Sequence, residues 1–313
     1  MLMKTISILI PTYNEEGNAR PIYEAVVNVM KKDLPEYNYE ILFIDNKSTD
    51  KTRSIIREIC KEDKHVKAIF NSKNFGQFNS PYYGIIHTTG DCTIPLCADF
   101  QDPVEMIPKF VHEWEKGYKI VIGKKTKSKE NPIMYFLRSC YYKLLRKASN
   151  IDIIEQFTGF GLYDKSFVET MRDLHDPTPF YRGIVAELGP ERKELEYEQQ
   201  KRKSGKTHNN FSTLFDAAML SFTSYTKTGI RAMELIGFTV FAISAVSGLA
   251  CIIIKLCLMK RINMGYAPII ISIYLLGGAI IMMMGFLGEY ILSINTRMMN
   301  RPLVVEEERI NFN

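Results

Sequence analysis

Cysteine pairs at metal-binding or redox spacing are missing from this 313-residue sequence. Its six cysteines stand at 60, 92, 97, 140, 251 and 257, with no C-x-x-C among them. That pattern argues for free thiols in a reducing compartment. Strong charge of either sign is also lacking, since the formal net charge is only +5. A nucleic acid is therefore not an expected partner, and the basic residues near 201–206 suit phosphates or an anionic membrane surface better. Near the N-terminus the one apolar run, Ile6 to Ile10, stops at Pro11. It is too short for the apolar core of a signal peptide, so the N-terminal domain is expected in the cytosol. No internal repeat and no low-complexity tract is found.

Charge itself is absent from two long stretches, Leu235 to Ile254 (20 residues) and Ile262 to Gly288 (27 residues). At about 1.5 Å per residue, each suffices to cross about 30 Å of hydrocarbon. Two transmembrane helices are predicted, because core helices of soluble proteins seldom run so far without a polar face. An even number of spans returns the C-terminal tail to the side of the N-terminal domain, giving a multi-pass protein of the cytoplasmic membrane. Lys201, Arg202, Lys203, Lys206, Lys227 and Arg231 precede the first span and Arg297 and Arg301 follow the second, but Lys255, Lys260 and Arg261 lie between them. The charge bias supports that orientation in part. Gly277-Gly278 and Gly285 to Gly288 permit close helix packing, either between the two spans or in a homo-oligomer.

The first 125 residues alternate β-branched runs with helical patterns. Strands are predicted at Thr5–Ile10, Tyr39–Asp45, Val66–Phe70, Cys92–Ala98 and Lys119–Gly123, with helices starting near Ala19, Thr49, Asn79 and Pro103. Such alternation implies an α/β fold with a mostly parallel sheet covered on both faces, and ligands of such sheets collect at the carboxyl ends of the strands. The polar clusters Thr12 to Glu15, Asp45 to Ser48 and Asp99 to Asp102 all fall there. Residues 133–148 carry a basic amphipathic pattern that fits the membrane surface or the catalytic core equally well. A second such pattern, from Phe211 to Phe222, favours the membrane interface by its position.

Two clusters carry chemistry. Asp99 can supply a carboxylate and Gln101 a carbonyl from one side of an extended segment, which suits a hard divalent cation neutralising a diphosphate leaving group. Asp102-Pro103 also reads as the cap and first turn of a helix. Arg202, Lys203, Lys206 and His208 flank Gly205, as in a cationic loop that closes over a diphosphate or receives an anionic acceptor.

With those residues placed, the chain resembles the family 2 glycosyltransferases, specifically the polyisoprenyl-phosphate type exemplified by dolichol-phosphate mannose synthase and bacterial undecaprenyl-phosphate glucosyltransferases. The resemblance spans the chain through Ile10 to Glu15, Ile44 to Asp50, Asn74-Phe75-Gly76, Ala98 to Pro103 and Arg202 to Thr207, in order. It implies a GT-A fold over residues 1–206, a juxtamembrane amphipathic helix over 207–231, a two-helix transmembrane region over 232–292 and a cytosolic tail over 293–313. It further implies that Pro11, Tyr13, Glu15, Phe43, Asp45 and Ala98 hold a nucleotide sugar and that Asp99 and Gln101 ligate Mg²⁺ or Mn²⁺. Lys125 and Arg202 would contact phosphates, with Lys206 and His208 joining Arg202 at the acceptor phosphate. Asp99, Asp102 and Arg202 are the implied catalytic set.

The sequence departs from the commoner family pattern at several points. Cys97 stands where an Asp is usual, and Asp45-Asn46-Lys47-Ser48 replaces Asp-Asp-Gly-Ser. His208 stands where a Lys is expected, and Thr158-Gly159 replaces an acidic residue that would serve as base. A sugar hydroxyl needs a positioned base before it attacks, whereas a phosphate monoester, with a second pKa near ~6, is largely anionic at neutral pH. The predicted reaction is therefore inverting transfer of a hexose from a nucleotide sugar, UDP-linked in preference to GDP-linked, to polyisoprenyl phosphate. Two rivals remain: a hydroxyl of a lipid-linked saccharide as acceptor, with Asp102, Glu155 or Glu187 as base, and a degenerate nucleotide-sugar-binding membrane partner.

Overall fold

The structure is a computed structural model. It describes residues 3–126, 154, 156–189, 191–200, 235–240, 242–243, 246, 253, 267–299 and 301–312. Expectations for the amphipathic segments, the basic stretch 201–208 with Arg202, Lys206 and His208, Glu155 and most of the first span lie outside those residues.

The strands are β1 (Thr5–Thr12), β2 (Asn38–Asp45), β3 (Val66–Asn71), β4 (Cys92–Pro95), β5 (Ile120–Lys125), β6 (Phe157–Asp164), β7 (Lys193–Tyr197) and β8 (Glu306–Ile310). They form one sheet in the order β7-β5-β6-β4-β1-β2-β3-β8. The central run β4-β1-β2-β3 is parallel throughout, as the alternating pattern predicted. Pleating sends successive side chains to opposite faces. Ile8, Ile10, Ile41 and Phe43 therefore join one core, and Leu9, Leu42 and Ile44 the other. Both faces being covered explains why these strands read as continuous apolar runs.

Helices α1 (Ala19–Asp33), α2 (Thr52–Glu62) and α4 (Met106–Glu115) bury Ile22, Val26, Ile56, Ile59, Phe110 and Trp114 in the first core. Helices α3 (Gly76–Ile86), α5 (Lys165–Asp173) and α6 (Tyr181–Leu188) cover the other face with Tyr82, Ile85, Val168, Met171 and Ile184. Helix α4 begins at Met106 rather than at Pro103, and Asp102 does not cap it. A tertiary bond claims that carboxylate instead, as described below.

Three strands were not foreseen. Strand β6 runs antiparallel between β4 and β5, and its Gly159 and Gly161 lower its strand propensity. At Gly161 a Cβ would lie 2.4 Å from the Val121 carbonyl oxygen, so the strands pair closely only because no side chain stands there. Strand β7 pairs parallel to β5. Strand β8, four of whose five residues are charged, lies antiparallel against β3 at the sheet edge. Residues expected as a bare tail thus belong to the catalytic sheet. Ser72 N–H donates to the Val305 carbonyl at 2.9 Å, Tyr83 OH donates to Glu306 at 2.9 Å, and Arg57 pairs with Glu308 at 2.6 Å.

Helix α7 (Ala267–Met298) continues past Glu289, where the charge-free stretch ends. Within it Leu276–Met298 has a mean hydropathy of 1.6 and is the one helix among the described residues long and apolar enough to cross a membrane. Arg297 at its end stands 3.6 Å from Asp176 of the catalytic domain.

Asn311 pins the end of β8 by donating to the carbonyls of Cys60 (2.8 Å) and Val66 (2.7 Å). Asn311→Ala strands both acceptors and is expected to lower the stability of the catalytic domain by about 1–3 kcal/mol. Equilibrium denaturation checks this, and an unchanged midpoint would show that β8 is not held there.

Candidate active site

Parallel register brings the ends of β1, β2 and β3 level, with β4 ending three residues short of β1. Thr12 of β1 lies opposite Asp45 of β2, Asp45 opposite Phe70 of β3, and Leu9 opposite Pro95 of β4. The loops that follow β1, β2 and β4 each contain a non-glycine residue in the left-handed region: Asn14 (φ 56°), Lys47 (φ 67°) and Phe100 (φ 61°). Such residues cost on the order of 1 kcal/mol each and concentrate where function holds the backbone. Here all three lie at the carboxyl edge of the parallel sheet, where the sequence places its polar clusters.

The first two loops are laced together. Asn14 N–H donates to Ser48 Oγ at 2.9 Å and Thr49 N–H to Asn14 Oδ1 at 2.8 Å, while Glu15 N–H reaches Thr52 Oγ1 at 2.8 Å. At the centre is Asp45, with no exposed surface. Its carboxylate accepts from Ser48 N–H at 3.1 Å, from the Ser48 hydroxyl and from Thr12 Oγ1 at 3.4 Å, and Arg53 Nε stands 3.3 Å away. Burial pushes the Asp45 pKa up; the Ser48 bonds, the Arg53 charge and the Thr12 bond oppose it. Asp45 therefore organises the loops in this state, its oxygens already engaged. Phe43 is fully buried in the core and supports the edge from beneath. Pro11, Tyr13 and Glu15 are partly exposed at the edge, and Ala98 is buried.

The adjoining Asn46 fixes the Asn74-Phe75-Gly76 segment. Its amide donates to Asn74 Oδ1 (2.9 Å) and the Gly76 carbonyl (3.1 Å), and its oxygen accepts from Phe75 N–H (2.8 Å) and Asn71 (3.1 Å). These bonds explain why an amide works where the family pattern has a second Asp.

Beyond β4 the chain turns at once. The segment Asp99 to Asp102 was expected to be extended; it is instead a tight turn closed by Gln101 N–H on Asp99 Oδ1 at 3.1 Å. Asp102 is buried and accepts a hydrogen bond from Tyr197 OH at 2.9 Å. Gln199 Nε2 meets Gln101 Oε1 at 3.3 Å, and Gln200 N–H meets the Gln101 carbonyl at 3.3 Å. The end of β7 thus clamps the acidic turn, and Tyr197, Gln199 and Gln200 are site residues that sequence reasoning missed. Burial raises the Asp102 pKa against hydrogen bonds from Cys97 and Tyr197 and the charge of Lys125. Lys125, at the end of β5 and in register with Tyr197, is so brought to the acidic turn.

Cys97 reaches solvent and has Asp102 and Asp99 as near neighbours. Burial and the neighbouring Asp102 and Asp99 carboxylates push its thiol well above the ordinary range. It is therefore a neutral hydrogen-bond donor to Asp102 rather than a thiolate. Glu187 is exposed on α6. Among the described residues, no group of three or more His, Cys, Asp or Glu side chains is arranged to hold a metal ion. A few oxygen donors, Asp99 and Gln101, do fit an ion that keeps most of its shell for water and substrate phosphates. A cleft of about 470 Å³ beside Pro108, His112 and Leu195 contains none of these groups.

An open α/β sheet with polar loops and an acidic turn at its carboxyl edge is the arrangement in which such folds gather ligands. Comparison with known proteins makes this specific. Residues 7–172, more than half of the chain, match Glycosyl transferase family 2. The bactoprenol glucosyl transferase of Shigella phage SfX is 32% identical over 305 residues, 97% of this chain and 99% of that protein. A prophage bactoprenol glucosyl transferase homolog of Escherichia coli is 32% identical over 91% of this chain and 93% of its own length. The chain belongs to glycosyl transferase family 2 and is a glycosyltransferase. Among solved structures, Staphylococcus aureus TarS 1-349 gives a TM-score of 0.44 at 14% identity, over 70% of this chain and 64% of that one.

The Tyr197 hydroxyl favours the charged form of Asp102. Tyr197→Phe removes that bond, so the Asp102 pKa rises further and the acid limb of the activity–pH profile is expected to move to higher pH. An unmoved acid limb in a folded variant would show that ionised Asp102 does not limit the reaction.

Proposed function

We propose that the chain transfers a hexose from a nucleotide sugar, UDP-linked in preference to GDP-linked, to polyisoprenyl phosphate, with inversion at the anomeric carbon. The observation that carries this reading is the likeness to bactoprenol glucosyl transferases, which extends beyond the catalytic domain through the apolar C-terminal region. The nucleotide lies along the edge formed by Pro11, Tyr13, Glu15 and the Asp45 loop, and its diphosphate points to the acidic turn. Asp99 and Gln101 would hold Mg²⁺ or Mn²⁺, which would supply positive charge to the departing nucleoside diphosphate. Lys125, with Arg202, Lys206 and His208, orients the donor and acceptor phosphates. The acceptor phosphate, already anionic, attacks C1 in line, and the leaving diphosphate departs on the opposite side. No base is required for that attack. The raised pKa of Asp102 supports one alternative, a saccharide hydroxyl acceptor with Asp102 as base.

The sheet supports a two-span membrane arrangement. Strand β8 comes after α7 and yet pairs with β3 of the N-terminal domain, so both must lie on one side of any bilayer crossed between them. This favours an even number of crossings, and we assign one of them to α7. In support of a second, the described residues at 235–240, 242–243, 246 and 253 are all helical, with Leu235, Phe238, Ile243 and Val246 exposed. A Cβ at Gly237 would lie 3.3 Å from Met283 Cε of α7, as in a packed helix pair. We place both ends on the cytosolic side.

Two outcomes are expected. Membranes holding the protein, given polyisoprenyl phosphate, Mg²⁺ or Mn²⁺ and labelled UDP- or GDP-hexoses, should move label into the organic phase as an acid-labile lipid monophosphate. Asp99→Ala should reduce that transfer by about 10²-fold or more. Label appearing only on saccharide-linked lipid would favour the hydroxyl acceptor. In a cysteine-free background, Lys260→Cys should react with an impermeant maleimide from outside the cell and Asn313→Cys should not. Both reacting from the same side would contradict the two-span arrangement.

A further inference from the structure

The C-terminal strand does more than close the sheet edge. Glu307 of β8 reaches Lys47 Nζ at 2.6 Å and Arg53 Nη2 at 3.1 Å with the same carboxylate oxygen. Lys47 is the left-handed residue of the loop after β2, at a place where the family pattern has glycine. Its backbone conformation is one that a lysine seldom adopts, and its ammonium is tied to β8. Arg53 is largely buried and stands against Asp45, which gathers Ser48 and Thr12 and, through Ser48, the Asn14 loop. Arg53 Nε stands 3.3 Å from the Asp45 carboxylate off the line of a hydrogen bond, and it has no hydrogen-bond partner among the described residues. Its placement therefore depends on what holds the guanidinium from outside, namely Glu307 and the face of Phe70 at 5.0 Å. A continuous path of side chains runs from the strand that follows the membrane helix to the loops at the catalytic edge.

We infer that Glu307 is a positioning residue for the nucleotide half of the donor: it holds Lys47 and Arg53, which fix the Asp45 loop in its binding geometry. This rests on the reading that the Asp45 loop lines the nucleotide pocket. The pocket is then complete only after the chain has left the membrane and β8 has docked. The neighbouring Glu308 supplies the control. It makes a comparable ion pair on the same strand, with Arg57 at 2.6 Å, but no hydrogen bond or ion pair joins Arg57 to Asp45 among the described residues.

The test compares Glu307→Gln, Glu308→Gln and Asp45→Asn in the full-length protein. UDP and GDP binding with Mn²⁺ is titrated directly, and KM and kcat are measured for donor and lipid acceptor. For Glu307→Gln the nucleotide Kd and donor KM are expected to rise about three- to tenfold, with kcat and acceptor KM within about twofold. Glu308→Gln is expected to leave nucleotide binding unchanged, and Asp45→Asn to weaken it at least as much as Glu307→Gln. Unchanged nucleotide binding in Glu307→Gln, with Asp45→Asn impaired, overturns the inference and leaves the pocket reading standing. Equal losses in Glu307→Gln and Glu308→Gln overturn it in favour of strand docking alone. Normal binding in Asp45→Asn overturns the pocket reading and the inference together.

Discussion

The antiparallel pairing of β8 with β3 is the constraint on which the rest depends. It joins residues more than two hundred positions apart in the chain and makes one sheet from segments on either side of the apolar helix. A strand that extends a sheet cannot lie across a bilayer from it, because its backbone groups need their partners on the neighbouring strand. The register therefore holds the segments before and after the apolar helix together in one sheet. It also covers the open edge of β3, which would otherwise present unpaired backbone groups to other chains. The catalytic domain and the apolar helix are in this sense joined, with Arg297 and Asp176 bracing the junction.

At the carboxyl edge, carboxylates are placed by bonds that restrain them before any substrate arrives. Asp45 is enclosed by Ser48, Thr12 and Arg53, and Asp102 by Tyr197 and Cys97. Restraint of this kind suits a reaction in which positioning and charge stabilisation matter more than proton transfer. Neighbouring carboxylates would also repel one another, and a neutral Cys97 beside Asp99 and Asp102 limits that repulsion. The departures from the family pattern become coherent in this light. Asn46 holds the Asn74 to Gly76 segment by its amide, and Lys47 reaches out to Glu307.

The central strands were legible because burial on both faces leaves near-continuous apolar runs such as Ile8-Leu9-Ile10 and Ile41-Leu42-Phe43-Ile44. The positions of Asp45 and Asp99 were legible because polar residues just after such runs fall at the carboxyl edge of the sheet. Strands β6, β7 and β8 were not, since glycines and charges mask their period, and their pairing is decided by distant partners. Tyr197 meets Asp102 across 95 residues and Glu307 meets Lys47 across 260, separations at which no local pattern carries information. The Asp102 cap failed for the same reason, a local preference yielding to a buried tertiary bond.

The most direct measurement is an experimental structure of the full chain with Mn²⁺ and the nucleoside diphosphate, the ion located by its anomalous scattering. The expected result is a base seated along the Tyr13, Glu15 and Asp45 loops, and Mn²⁺ about 2.2 Å from an Asp99 carboxylate oxygen while also touching the diphosphate. A nucleotide bound away from the carboxyl edge of β1, β2 and β4, or a diphosphate-bound ion without contact to Asp99, would contradict the assignment of this edge as the catalytic centre.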